Sequence, residues 1–416
     1  MDSLLAALYG FLAGFLGAVP FLHTNLMLQF TQDFFAASTL AVFATTLSFS
    51  HLVFETIPML FFALPAQNQN ITLLPAQSLV LGGKTAKAFK IVTQSLFYSV
   101  LIALALLPFA ITATPIAHSF VQPVQGIALL AVIALAFYKS SSQTAGKLAL
   151  GILFLTLAGL LGLTALSLPI AREPLFPLLS GLFGVPAILF SFKKNGDAKQ
   201  KESENEEKTG ENPTAGFSVD KKLIFYGVLA ASASVLLPAV TPALIAGLIF
   251  AFMNEDRESF LTASTAVVGA KMVFDFAAVY SIGKARSGAA AVAQNALSSS
   301  ANAGGIGLNN LLFLEAAGAT AFFAALALLL VFGKQFAKAF RKFERNAVYA
   351  IALTAITAGT FLVSGAGGLL ILASASAVGA GISLSKLRKS YAIGALVVPA
   401  LTYFFGLNAL FIQTVL

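Results

Sequence analysis

The chain has 416 residues, 58% of them hydrophobic and only 10% charged, with a mean hydropathy of +0.88. A soluble domain of this length needs far more charge to cover its surface, so the composition excludes one. The absence of Cys excludes disulfides and thiolate metal sites, and the net charge of +8 falls mostly in short loops, as orientation signal rather than as a nucleic-acid patch.

Met1-Asp2-Ser3 leads into an apolar stretch without a basic segment or cleavage site, so it reads as a first membrane helix rather than a signal peptide. Five spans are expected in the first half, near 4–30, 91–111, 125–138, 148–168 and 178–192. Pro20 interrupts the first, because proline removes a helical hydrogen bond and frees a carbonyl; His23, Thr24 and Asn25 follow it. Freed backbone beside such side chains suits an ion or an anionic group, and the alternative is a kinked packing helix.

Phe34–Phe49 is apolar enough to insert. His51–Gly83, by contrast, carries Glu55, three prolines and Gln67-Asn68-Gln69-Asn70, and is expected to form a broken helix or re-entrant hairpin. His51 and Glu55 are four residues apart and share a helix face, so the pair can neutralise itself inside the membrane. Gly82-Gly83 is a candidate hairpin tip with backbone amides free to meet an anion, or simply a close-packing site.

Lys193–Lys222 is hydrophilic and reads as a flexible linker between a first repeat, residues 1–192, and a second, residues 223–416. The second half repeats the first's landmarks in order: Pro238 with Thr241, then Lys271 and Asp275, then Gly304-Gly305, then Gly394…Pro399 answering Gly181…Pro186. His51/Glu55 and Lys271/Asp275 both lie 220 apart (271 − 51, 275 − 55), and each acid follows a Val-Phe pair. Ala285–Asn310 is a second hairpin candidate; Glu315 is a further intramembrane acid, as suited to a relay as to structure; Lys284 and Arg286, which flank a break after Asp275, read as solvated loop charges, the alternative being contact with substrate or a lipid headgroup.

Basic loops at Lys84–Lys90, Lys139–Lys147, Lys193–Lys222, Lys334–Arg345 and Lys386–Lys389 are placed in the cytoplasm, with Thr112–Pro123, Pro169–Pro177 and Ser364–Gly368 outside. Each matched loop then changes sides. The expected fold is an all-α polytopic protein of the cell membrane, built from two inverted-topology repeats with broken helices and re-entrant hairpins.

The run from Ser50 through Pro58, Pro65 and Pro75 to Gly82-Gly83, together with Pro20-Phe-Leu-His23-Thr-Asn25, Gly181–Pro186, Ile282–Gly288 and Arg388–Pro399, resembles the archaeal-type branch of the TctA family. TctA is the large membrane subunit of tripartite tricarboxylate transporters. Phe21 stands where that branch's signature has Gly, and Gln67–Asn70 stands where the branch tends to be acidic. The resemblance implies a permease that works with a small membrane subunit and an extracytoplasmic binding protein.

The expected function is transport of a small organic anion such as a carboxylate, by alternating access, with Na⁺ or H⁺ as coupling ion and no other cofactor. His23, Thr24, Asn25, Thr241, Gly82, Gly83, Gly304 and Gly305 are the candidate substrate or ion ligands, and His51, Glu55, Lys271 and Asp275 the candidate coupling or ion-pair groups. No metal-ligand cluster, nucleophile elbow or phosphate loop supports an enzyme. Two alternatives stay open: a translocase of a lipid-linked phosphate, and a non-transporting structural membrane protein whose charged pairs only hold helices together.

Overall fold

The computed structural model describes residues 2–19, 22–62, 76, 79–80, 82, 84–138, 145–192, 219–237, 240, 242, 245, 256–298, 306–340, 342, 344–387 and 389–415. Among them there is no strand, and eight helical stretches are long and apolar enough to cross a membrane. The protein is an all-α multi-pass membrane protein.

The first span is broken as expected. Helix α1 (Ser3–Gly14) tightens into a 3₁₀ turn at Phe15–Ala18, and α2 (Thr24–Thr31) restarts after an extended His23. Then α3 (Ala37–Phe54) passes through a one-residue turn at Glu55 into α4 (Thr56–Phe62). That interruption at Glu55 falls inside the His51–Gly83 stretch expected to be broken, most of which beyond Phe62 lies outside the described residues. The helix carries on to Phe62 because Pro58 falls in the first turn of α4, where its missing N–H matters least, and the cost is confined to the turn at Glu55. Residues 63–75 lie outside the described ones.

Helix α5 (Thr85–Ala105) continues after Leu106 into α6 (Leu107–Val121), then through a 3₁₀ turn to α7 (Gln125–Tyr138). The Thr112–Pro123 segment, expected as an outside loop, is therefore helical; it is uncharged and apolar, and Pro108 and Pro123 each sit at the start of a helical piece. Next come α8 (Ala145–Ser167) and α9 (Leu175–Phe192). A π-turn occupies Ser180–Gly184 of α9, just ahead of Pro186, which has no N–H for the regular ladder.

In the second half, α10 (Lys221–Ser234) and α11 (Arg257–Ile282) each open on an aspartate cap, Asp220 on the Lys222 N–H and Asp256 on the Ser259 N–H, both at 2.8 Å. Gly283, at φ 62°, closes α11 with its N–H on the Ala278 carbonyl. They are followed by α12 (Gly288–Ser298), α13 (Leu308–Phe340), α14 (Arg345–Leu384), α15 (Gly394–Phe404) and α16 (Asn408–Val415).

Helix α14 is a hairpin. Its first part passes α9 in one direction, Tyr349 beside Phe192 and Gly359 beside Phe176. Its second part returns in the other, Gly367 beside Ile170, Leu372 and Ala375 beside Gly181, and Gly379 beside Leu182 and Pro186. Between them Gly365 takes φ 69° and ψ −165°, a conformation open essentially to glycine alone. This turn lies inside the Ser364–Gly368 loop expected from the sequence.

The packing repeats itself between the halves. Gly10 of α1 lies against Phe43, Thr46 and Leu47 of α3; Gly227 of α10 lies against Ala263, Ala266 and Val267 of α11, each 220 positions on (263 − 43, 266 − 46, 267 − 47). A second contact recurs with the halves exchanged. Phe49 of α3 packs on Gly318 of α13, and Gly269 of α11 on Ser99 of α5. A third does the same: α9 lies along the returning arm of α14, and α8 along α15, with Gly159 at Val398 and Gly162 at Ala395. Small residues at each crossing let backbones approach where lipid offers no hydrophobic drive to association.

Directions follow from paired contacts. Helix α5 runs parallel to α11, with Lys87 bridging to Glu258 at 2.7 Å at one end and Ser99 at Gly269 further on. It runs antiparallel to α13, with Phe89 at Gly333 and Phe97 at Phe323.

Candidate functional site

The sequence pairs two charged couples with two proline breaks, and the structure places both couples on the most enclosed helices. His51 and Glu55 are each 2% exposed, Lys271 8% and Asp275 3%. Burial of this kind is costly unless the charges find partners.

His51 finds one at the first break. Its Nε2 donates to the Leu22 carbonyl at 2.7 Å, just past the point where the α1 helix ends. That donation fixes the proton on Nε2 in the neutral ring. Nδ1 then faces Glu55 Oε2 at 3.7 Å, longer than a hydrogen bond. Gly17 packs directly on His51 and Glu55, so the 3₁₀ turn after α1 forms one wall of this pair.

The second couple is closed more tightly. Lys271 Nζ donates to Asp275 Oδ1 in a short contact, and Ser287 gives Asp275 a further hydrogen bond. The second break has its own basic partner, but not from the position the sequence repeat suggests. Arg286 Nε donates to the Val235 carbonyl at 2.8 Å, and Nη2 reaches the Leu236 carbonyl at 3.4 Å, where Gln125 Nε2 also donates at 3.4 Å. Arg286 is thus bound to the carbonyls at the end of α10, not a solvated loop charge. Spacing gave no warning, because His51 serves the first break from i−4 of the acid whereas Arg286 serves the second from eleven residues beyond Asp275.

The helices that carry the two couples, α3 and α11, touch through neighbouring side chains. Ser48 Oγ donates to Met272 Sδ at 3.2 Å, and the Phe49 and Phe276 rings lie 5.9 Å apart. The first break also reaches the second half directly: Asn25 abuts Gly288 at the start of α12 so closely that a Cβ there would collide with its Oδ1. Thr24 is buried, and the His23 ring stands edge-on to Phe176, 5.7 Å away. Glu315 of α13, 3% exposed, lies within electrostatic reach of Asp275.

Of the sequence-predicted ligands, His23, Thr24 and Asn25 join this region. Gly82 is exposed. Pro20, Gly83, Pro238, Thr241, Gly304 and Gly305 lie outside the described residues.

Buried charged pairs inside apolar spans beside interrupted helices mark a candidate functional site in a membrane protein. A family model described as Tripartite tricarboxylate transporter TctA family matches residues 4–394. No curated protein and no solved structure matches the chain. The match spans nearly every residue from the first helix to the start of α15, and the chain belongs to the TctA family of membrane transporter components.

Proposed function

We propose that the protein is an ion-coupled secondary permease for a small organic anion such as a carboxylate. In this reading the two halves, residues 1–192 and 223–416, are inverted-topology repeats that alternate access around the α3–α11 crossing, with the 193–222 linker in the cytoplasm of a cell-membrane protein. The observation that carries it is the burial of His51/Glu55 and Lys271/Asp275 on two touching helices, with His51 and Arg286 bound to backbone carbonyls at the helix breaks. The antiparallel course of α5 and α13, helices that occupy matching places in the two halves, supports the inversion.

The anion would be met by Thr24 and Asn25 and by backbone amides at the hairpins, and the couples would supply charge and coupling to Na⁺ or H⁺. As the family name describes a tripartite transporter, a small membrane subunit and an extracytoplasmic binding protein are the proposed partners.

Uptake into proteoliposomes tests the reading, with a carboxylate panel screened against imposed Na⁺ and pH gradients. Glu55→Gln and Asp275→Asn are expected to abolish coupled uptake while the protein still elutes as a folded species. Undiminished uptake in both variants would remove the couples from the mechanism, and collapse of both variants in detergent would make them structural ion pairs.

A further inference from the structure

Glu315 is the one acid of the buried centre that the internal repeat does not explain. The offset that carries Ser99 to Gly318 (318 − 99) carries Leu96 to Glu315 (315 − 96), so an apolar side chain stands in the first half where the second has a carboxyl. It lies one turn before Gly318, where α3 crosses α13. Its side chain is 3% exposed, and neither carboxyl oxygen has a hydrogen-bond partner among the described residues.

The charges around it divide unequally. Asp275 has Lys271 on one oxygen, a hydrogen bond from Ser287 and the nearby guanidinium of Arg286, so its negative charge is compensated. Glu315 has Asp275 as its charged neighbour and, among the described residues, no cation of its own. On α3 the ionisable groups are His51 and Glu55, themselves a couple. On α5 the ionisable groups are Lys87, Lys90 and Tyr98; the lysines lie near its first turns, and the antiparallel course of α5 and α13 puts those turns at the far end of α13, by Gly333. Helix α4 contributes no ionisable group and α1 only the exposed Tyr9. An uncompensated carboxylate in such a place costs several kcal/mol, and two neighbouring carboxylates do not both ionise cheaply.

We propose that Glu315 is a proton-binding residue that holds the proton exchanged during transport. This rests on the coupled-permease reading and selects H⁺ from its two coupling ions. The Glu315 carboxylate takes a proton from water on one side to form its O–H. When the site opens to the other side that O–H breaks and the proton passes to water there, while Asp275 stays ionised against Lys271 throughout. Both oxygens without a partner are what a group awaiting discharge would show, since a residue kept for structure would have its hydrogen bonds satisfied.

The full-length protein in lipid nanodiscs tests this by infrared difference spectroscopy between about pH 5 and about pH 9. The wild type should show the carbonyl stretch of a protonated carboxylic acid at neutral pH. Glu315→Gln should lose that band, while Glu55→Gln and Glu315→Asp keep it. Because the acid is neutral, its neutral isostere must fold; a Glu315→Gln protein that cannot be purified folded overturns the proposal, as does a band unchanged by that substitution.

In proteoliposomes that also hold the proposed small membrane subunit and binding protein, with citrate as probe, Glu315→Gln should exchange citrate across the membrane yet lose its accumulation on a pH gradient. Accumulation by the wild type on a Na⁺ gradient alone, indifferent to pH, also overturns the proposal. Failure of the permease reading would look different: no form of the protein would move citrate under any gradient, while the band would still vanish in Glu315→Gln.

Discussion

Ser99 on α5 sits in the notch left by Gly269 on α11, and its hydroxyl occupies the space where a Cβ would go. The reciprocal notch, at Gly318, holds the ring of Phe49. These contacts join the halves at their centre.

Gly269→Val and Gly318→Val should each cost about 1–3 kcal/mol through overpacking, read as a lowered melting temperature of the detergent-solubilised protein. Gly146→Ala is the control, since nothing lies within 4 Å of a Cβ there. In a helix that change should leave the melting temperature unaltered or raise it.

Gly365 offers a different test, because there the obstacle is conformation rather than space. A Cβ would meet nothing within 4 Å, yet φ is +69°. Gly365→Ala should therefore destabilise by about 1–3 kcal/mol, seen in the same melting assay. An unchanged melting point would mean that the α14 hairpin turns by another route.

For the Lys271/Asp275 couple, removing one partner leaves an uncompensated buried charge. Lys271→Met or Asp275→Leu alone should cost about 3–5 kcal/mol, whereas the double replacement should cost much less than their sum. A thermal double-mutant cycle measures the coupling. Additive losses would show that the two side chains act independently.

Asp256 links stability to pH at the start of α11. The Ser259 amide that it caps holds its carboxyl below the usual carboxylate range. A depressed folded-state value stabilises the protein above the unfolded value, near 3.9, and the contribution is lost as pH falls through and below it. Asp256→Ala should cost about 0.5–2 kcal/mol at neutral pH, and the gap from wild type should shrink as the medium is acidified below about pH 4. A gap that stays constant with pH would mean the carboxylate is not the cap.

Much of this architecture was legible in the sequence because membrane helices declare themselves by composition. The break after α1, the turn at Gly365, and the burial of His51, Glu55, Lys271 and Asp275 all followed from proline, glycine and charge in apolar surroundings. What the sequence hid was context. Pro58 reads as a breaker until its place in the first turn of α4 is known, and Thr112–Pro123 reads as a loop because of its prolines and its scattered polar residues, Thr112, Thr114, His118, Ser119 and Gln122, which a helix accommodates. Arg286 was obscure for another reason: its partners are backbone carbonyls about fifty positions earlier, and backbone leaves no mark in a sequence.

The swapped packing has a bearing on biogenesis. Helix α5 is covered by α11, and α9 by α14, so the amino-terminal half leaves the ribosome with two faces that only later-made segments can sheathe. It must wait in the bilayer, helices inserted but not yet locked, until its counterpart arrives. Synthesis of the carboxy-terminal half, rather than insertion of the earlier helices, would then set the moment at which the molecule becomes a single folded body.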